Sequence, residues 1–363
     1  MFRKWPKILF LVGFWLVVAV FITVYDASLE GFTAEERGGP FTLWWTLLTV
    51  SAVTVLGGTL MAWFEVSYLS RVLRKRPYGF VLLAKTAFYL ACMFTCISIV
   101  IISIDSFDHE VPVYHPKVMR LYTDFVTTPR FFMTILFWSA TVFISLFVLQ
   151  VSEKFGQGVL ANFLLGKYHR PKQQHRIFMF LDLRSSTTLA ERLGHEAYSR
   201  LIQDCFYDMT NVVLEHKAEV YQYIGDEVVL TWLTEKGLEG EHCVATFYAY
   251  CDALNEREQY YMTTYGVVPE FKAGVNLGDV MVAEVGEIKK DLAYHGDALN
   301  TAARIQGKCN EIGSPLLISG ELKSSLGDDS AYEFELVGDL TLRGRSDAVA
   351  IYSVTRSADG SLR

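Results

Sequence analysis

Little in this sequence is built for metal–thiolate chemistry. Its six cysteines (Cys92, Cys96, Cys205, Cys243, Cys251, Cys309) include no CxxC pair and no zinc-ligand spacing, so they read as core or lipid-facing thiols. Low-complexity tracts and internal repeats are also missing, and the composition excludes disordered and collagen-like chains. A basic excess is absent where a nucleic-acid-binding domain would need one. Residues 1–175 carry 16 Lys and Arg against 10 Asp and Glu, a balance of +6, which leaves −13 for residues 176–363 of a chain of net charge −7. Such an acidic half repels a phosphate backbone. Charged residues are scarce at 20%, whereas 51% of residues are hydrophobic and 14% aromatic, too apolar for a purely soluble pair of domains.

The apolar residues concentrate in four runs: Ile8 to Val24, Phe41 to Phe64, Phe80 to Ile104 and Phe131 to Val151. Each is long enough to cross about 30 Å of hydrocarbon at about 1.5 Å per residue, the first at the short end of the spanning range, so residues 1–151 read as a four-span membrane domain. A cleavable signal peptide competes for the first run, because Arg3, Lys4 and Lys7 precede it. The length of the run and the poor cleavage site at Tyr25-Asp26-Ala27-Ser28 favour retention. Arg71, Arg74, Lys75 and Arg76 follow the second run, while the 25–40 and 105–130 loops hold mostly acids. Positive charge marks the cytoplasmic side, which places both termini in the cytoplasm and the chain in the cell's inner (plasma) membrane. Lys85 is expected to snorkel back to the basic loop, and Trp44, Trp45 and Trp63 lie near span ends as interfacial aromatics do.

Residues 152–175 connect the halves. Gly156 and Gly158, an apolar stretch from Val159 to Leu165 and basic residues before Pro171 suit either a short dimerising helix or a linker on the headgroups. Beyond it strands and helices alternate. His175 to Leu183 reads as a strand; Ser186 to Gly194 and His195 to His216 read as helices, capped by Ser186 or Thr187. Val220 to Ile224 and Glu227 to Trp232 flank a turn at Gly225-Asp226. Glu241 to Tyr265 reads as one helix, Phe271 to Val285 as a hairpin turning at Gly278-Asp279, and Asp297 to Glu311 as a helix. Strands near Leu316 to Ser319, Phe334 to Leu342 and Val349 to Val354 follow. This α+β order suggests a ferredoxin-like sheet with helices on one face.

Asp182 ends the first strand, just before a polar stretch leading into a helix N-terminus, a place for phosphate oxygens. Asp226 occupies the tip of the next hairpin, whose second strand neighbours the first strand in such a sheet. Paired hard carboxylates suit Mg²⁺ or Mn²⁺, and two such ions can activate a hydroxyl and neutralise a leaving phosphate. Taken singly, Asp182 is a helix cap and Asp226 a turn former. Asn300 and Arg304, four apart on a largely apolar helix, can bind one ligand together.

Five motifs, FLDLRSST, YQYIGDEVVLTW, FKAGVNLGDVMVAEVG, HGDALNTAARI and LTLRGRSDAVAIYSV, together resemble the catalytic domain of the class III adenylate/guanylate cyclases, over residues 176–355. The resemblance implies a homodimer with two composite sites, bound to two divalent cations and converting ATP to cyclic AMP and pyrophosphate. Asp182, Asp226 and the carbonyl of Leu183 would hold the ions, and Ser185, Ser186 and Thr187 would line the triphosphate. Asn300 and Arg304 would come from the opposite chain, to orient the ribose and stabilise charge on the α-phosphate. Arg343, in place of the usual lysine, would grip the terminal phosphates. The two base-selecting positions, usually lysine and aspartate or threonine, are here Gln222 and Ala293. The Gln222 amide suits the adenine edge better than it suits guanine, which favours ATP over GTP. A guanylate cyclase, a silent nucleotide sensor and, because IGDEV resembles a GGDEF hairpin, a diguanylate cyclase are the alternatives. The membrane half reads as an anchor or as the receptor of an unknown membrane or extracellular signal. The Asp105, Asp108, His109, Glu110 and His115 loop reads as a solvated loop rather than a metal site.

Overall fold

The computed structural model describes residues 5–29, 43–69, 72–73, 76–155, 166, 168–288, 290–327, 330–340 and 348–357. The chain divides between Phe155 and Gly156 into two units.

The N-terminal unit is helical: α1 (Trp5–Leu29), α2 (Leu43–Phe64), α3 (Tyr78–Asp108), α4 (Pro116–Val126) and α5 (Pro129–Phe155), with a π-helical turn Glu65–Leu69 extending α2. Three stretches among the described residues are long and apolar enough to cross a membrane: Ile8–Tyr25, Val50–Leu69 and Phe131–Ser152. The remaining expected span lies in α3, where the qualifying apolar stretch is the shorter Gly79–Thr95. The expected 105–130 loop contains α4, which starts at Pro116 after His115, whose Nδ1 accepts from the Lys117 N–H at 3.2 Å. The unit's core joins Ile8, Leu11, Val12 and Trp15 of α1 to Ala62, Leu82, Tyr89, Val142, Leu146 and Leu149. Lys85 departs from expectation. It is buried and paired with Glu65 rather than snorkelling, because a carboxylate at the end of the neighbouring helix gives the ammonium a nearer partner than the bilayer surface.

The C-terminal unit is an eight-stranded sheet: β1 (Lys172–Leu183), β2 (Glu219–Ile224), β3 (Glu227–Leu233), β4 (Phe271–Val285), β5 (Asp291–His295), β6 (Leu316–Ser319), β7 (Tyr332–Leu340) and β8 (Val349–Arg356), with helices α6 (Ser186–Glu215), α7 (His242–Asn255), α8 (Glu258–Tyr265) and α9 (Asp297–Ile312). The order is β2-β3-β1-β4-β6-β8-β7, with β5 pairing β4. Its first four strands have the ferredoxin-like arrangement. Among the described residues only the pairing of β4 with β6 is parallel.

Alternation along β1 sorts the two faces. Ile177, Met179, Leu181 and Leu183 join Leu201, Cys205 and Met209 of α6 and Phe247 and Tyr250 of α7 in one core. Phe178 points the other way, into a cluster with Tyr168, Val280, Val282, Ala298 and Ala302. Helix α9 therefore covers the face opposite α6, so the helices are not confined to one side. Tyr168, in the connecting segment, is buried there, and its carbonyl accepts from the Glu284 N–H at 3.2 Å. That segment's apolar stretch, Val159 to Leu165, lies outside the described residues.

Three local expectations change. Phe271 to Val285 is one continuous strand, with Gly278 opposite Arg176 and Asp279 opposite His175; β4 turns instead after Val285 to meet β5. Gly278 serves close packing, since a Cβ there would lie 3.1 Å from Ala298 Cβ. The Glu241 to Tyr265 helix is two helices broken at Glu256-Arg257. The two helices read before and after Gly194 are joined through that residue, which takes φ 75°.

Candidate active site

Strand β1 delivers Asp182 to the edge of α6 on the same side as Phe178 and Phe180, facing α9. The chain then turns through Ser185, which takes the left-handed conformation at φ 53° and makes no side-chain cap, so the N-cap falls one residue before the expected Ser186 or Thr187. A non-glycine residue held there is uncommon and marks a constrained turn. Ser185 and Thr187 are exposed and Ser186 is half-buried. With no side-chain cap, the first N–H groups of α6 are available to an anion.

Asp226 arrives from the other side. Ile224 pairs with Glu227, so Gly225 and Asp226 form a two-residue turn in which Gly225 supplies φ 62°. Glu227 lies directly across from Asp182, which brings Asp182, Asp226 and Glu227 into one acidic cluster. Burial, and then the Asp226 carboxylate, raise Asp182 above the usual aspartate range, against the opposing influence of Lys272 and Gln306. Burial followed by Asp182 and Asp226 pushes Glu227 up to about 7. Asp226 Oδ2 is buried without a hydrogen-bond partner. An orphaned carboxylate oxygen beside a second carboxylate is a donor set that fits a divalent cation.

Two residues not singled out from the sequence complete this edge. Lys272 Nζ lies 3.3 Å from Asp182 Oδ2, and Gln306 Nε2 donates to the same oxygen at 2.9 Å. Lys272 is Asp182's cross-strand partner on β4. Only the strand register reveals that pairing. Gln306 follows Arg304 by two positions, and its signal is helical phase: it lies one turn beyond the buried Ala302.

Asn300 and Arg304 share the exposed face of α9, with no hydrogen bond or ion pair to either side chain among the described residues. Two helical positions correspond to about 200° of rotation, so Arg304 points away from the carboxylate that Gln306 touches. Gln222 is exposed on β2 opposite Val229, and Ala293 is half-buried on β5 opposite Ala283. Their sequence neighbours Tyr221 and Tyr294 meet edge to face with centroids 4.8 Å apart. Arg343 lies outside the described residues.

Paired carboxylates beside an uncapped helix start, on a ferredoxin-like sheet, define a candidate site for phosphoryl transfer. Residues 169–356 match the adenylate and guanylate cyclase catalytic domain family, and the chain belongs to that family. It is 32% identical over 219 residues to adenylate cyclase 2 of Rhizobium meliloti (strain 1021), a match covering 60% of each chain. It is 28% identical over 185 residues to adenylate cyclase 1 of the same organism, covering 48% of this chain and 27% of that one. The chain thus spans less than two thirds of the length of either relative. A bacterial light-regulated adenylyl cyclase has a similar fold, with a TM-score of 0.52 and 20% identity over 62% of this chain and 66% of that chain.

Proposed function

We propose that this chain is a membrane-anchored, homodimeric adenylate cyclase that converts ATP to cyclic AMP and pyrophosphate. The observation that carries the reading is the edge where Asp182 and the orphaned Asp226 oxygen converge beside the uncapped start of α6.

Asp182, Asp226 and the Leu183 carbonyl would hold two Mg²⁺ or Mn²⁺ ions. When bound, these supply acidification of the ribose 3′-hydroxyl and neutralisation of the leaving pyrophosphate. Ser185, Ser186 and Thr187 bind triphosphate oxygens through the helix N-terminus. Arg304 neutralises the charge that grows on the α-phosphate, Asn300 fixes the ribose, and Arg343 holds the terminal phosphates. The 3′-oxygen loses its proton and bonds to the α-phosphorus as the α–β phosphoanhydride breaks.

Helical phase supports a site shared between chains. Gln306 faces its own Asp182, so Arg304, turned about 200° away, serves the carboxylates of a second copy. The likeness to adenylate cyclases and the Gln222 amide both favour ATP. The apolar stretches of the N-terminal unit support the membrane anchor, with the catalytic unit in the cytoplasm.

The test is a product assay on full-length protein with Mn²⁺, offering ATP and GTP in turn. Cyclic AMP should exceed cyclic GMP at equal substrate. Equal or greater cyclic GMP output contradicts the choice of base, and no cyclic product from either contradicts the enzyme reading.

A further inference from the structure

Asp182 is held from its own chain by two donors that converge on one oxygen. Gln306 Nε2 donates to Oδ2 at 2.9 Å and Lys272 Nζ lies 3.3 Å from the same atom. Both come from firmly placed elements. Lys272 occupies the β4 position in register with Asp182. Gln306 is carried by α9, which lies so close to β4 that a Cβ on Gly274 would come within 2.2 Å of the Gln306 backbone nitrogen. The closeness of that packing fixes where the Gln306 amide sits. With Oδ2 doubly occupied, the Asp182 side chain stays 22% exposed, and across the cluster Asp226 Oδ2 is buried without a partner.

We propose that Lys272 and Gln306 are positioning residues that hold Asp182 by Oδ2 and reserve Oδ1 for a divalent cation. In this arrangement the Lys272 charge limits how tightly the cation binds. The two donors act in opposite senses. Gln306 is neutral, so its hydrogen bond orients the ligand without opposing a cation. Hydrogen-bonding partners that orient ligating carboxylates typically alter metal affinity by about 10–100-fold when removed. Lys272 orients the same oxygen but places a positive charge next to the ligand, where it repels an incoming cation. It also balances the acidic cluster before the cation arrives. This inference rests on the cyclase reading for its chemistry, but its test does not require turnover.

The experiment measures Mn²⁺ binding to the full-length protein by electron paramagnetic resonance without nucleotide, alongside cyclic AMP formation. Asp182→Asn should lose the high-affinity Mn²⁺, which assigns the signal. Gln306→Leu should weaken Mn²⁺ binding about 10–100-fold and lower kcat, while KM for ATP moves less than about twofold, as expected when a group orients the metal rather than the substrate. Lys272→Met should tighten Mn²⁺ binding several-fold, and Lys272→Arg should restore the wild-type value. Where Gln306→Leu fails to fold, Gln306→Met carries the same expectation. Mn²⁺ affinities of Lys272→Met and Gln306→Leu within twofold of wild type overturn the inference, as does a shift of both in the same direction. If the wild type makes product yet these variants bind Mn²⁺ normally, the positioning role fails and the cyclase reading stands. If Mn²⁺ binding shifts as expected but no cyclic product forms, the cyclase reading fails alone.

Discussion

Lys85 in the N-terminal unit and Lys272 in the C-terminal unit both reach a carboxylate, but in surroundings that differ in access. The side chains of Lys85 and Glu65 are 8% and 1% exposed; those of Lys272 and Asp182 are 12% and 22% exposed. The first pair is closed. It bridges the π-helical turn after α2 to α3, and one turn further along α3 Tyr89 meets the Trp15 ring of α1 edge-on at 5.2 Å. Trp15 in turn donates to Ser145 of α5 at 3.1 Å, so the pair adjoins a chain of contacts that ties the long helices together. The second pair is half-open and faces Asp226, whose Oδ2 lacks a hydrogen-bond partner. The same two groups therefore meet as a closed bridge in one unit and as a more open contact beside an acidic cluster in the other. Access, rather than the chemical identity of the pair, separates the two roles.

The largest expected effect lies in the closed pair. Glu65→Gln alone removes the carboxylate that faces a buried ammonium and should cost about 3–5 kcal/mol of stability, read as a fall in the unfolding midpoint of the full-length protein in detergent. Replacing both partners, Glu65→Leu with Lys85→Met, should recover most of that loss, because a well-packed apolar pair needs no counter-charge. A double variant as unstable as the single one would show that Lys85 and Glu65 are not each other's partners. The corresponding change in the open pair, Lys272→Met, should move the unfolding midpoint far less than Glu65→Gln does.

A smaller effect concerns pH. Glu227, pushed up to about 7, and Asp182, raised in the same direction, bind protons more tightly in the folded than in the unfolded chain. Their contribution to stability is fully present below the ordinary glutamate value of 4.5 and is lost as pH rises through about 7. In the presence of a chelator, the melting temperature of the C-terminal unit should fall between pH 6 and pH 8, and Mn²⁺ should raise it more at pH 8 than at pH 6. An equal Mn²⁺ effect at both pH values would detach the acidic cluster from cation binding.

Much of the C-terminal unit was legible because its signals are local. Alternation marks β1, the Gly225-Asp226 turn fixes β2 and β3, and the apolar face of Asp297 to Ile312 marks α9. Asp182 and Asp226 stand out for the same reason, each next to the turn or helix start it shapes. What escaped depends on pairing across the chain. Gly278-Asp279 has the composition of a turn, yet Gly278 lies in mid-strand because Ala298 packs onto it. The break at Glu256-Arg257 carries no glycine or proline to announce it. Lys85 looked like an interfacial lysine because its partner lies twenty residues earlier on another helix. Lys272 and Gln306 reach Asp182 only once the β1–β4 register and the seating of α9 are known.

The shared site is tested most directly by subunit complementation between Asp182→Ala and Arg304→Ala. Each variant expressed alone should make almost no cyclic AMP, because every site then lacks either its carboxylate or its guanidinium. Co-expression should restore activity, since a mixed dimer has one site that takes Asp182 from one chain and Arg304 from the other. Co-expressed variants that form mixed dimers yet remain as inactive as either parent, beside an active wild type, would contradict a site built from two chains.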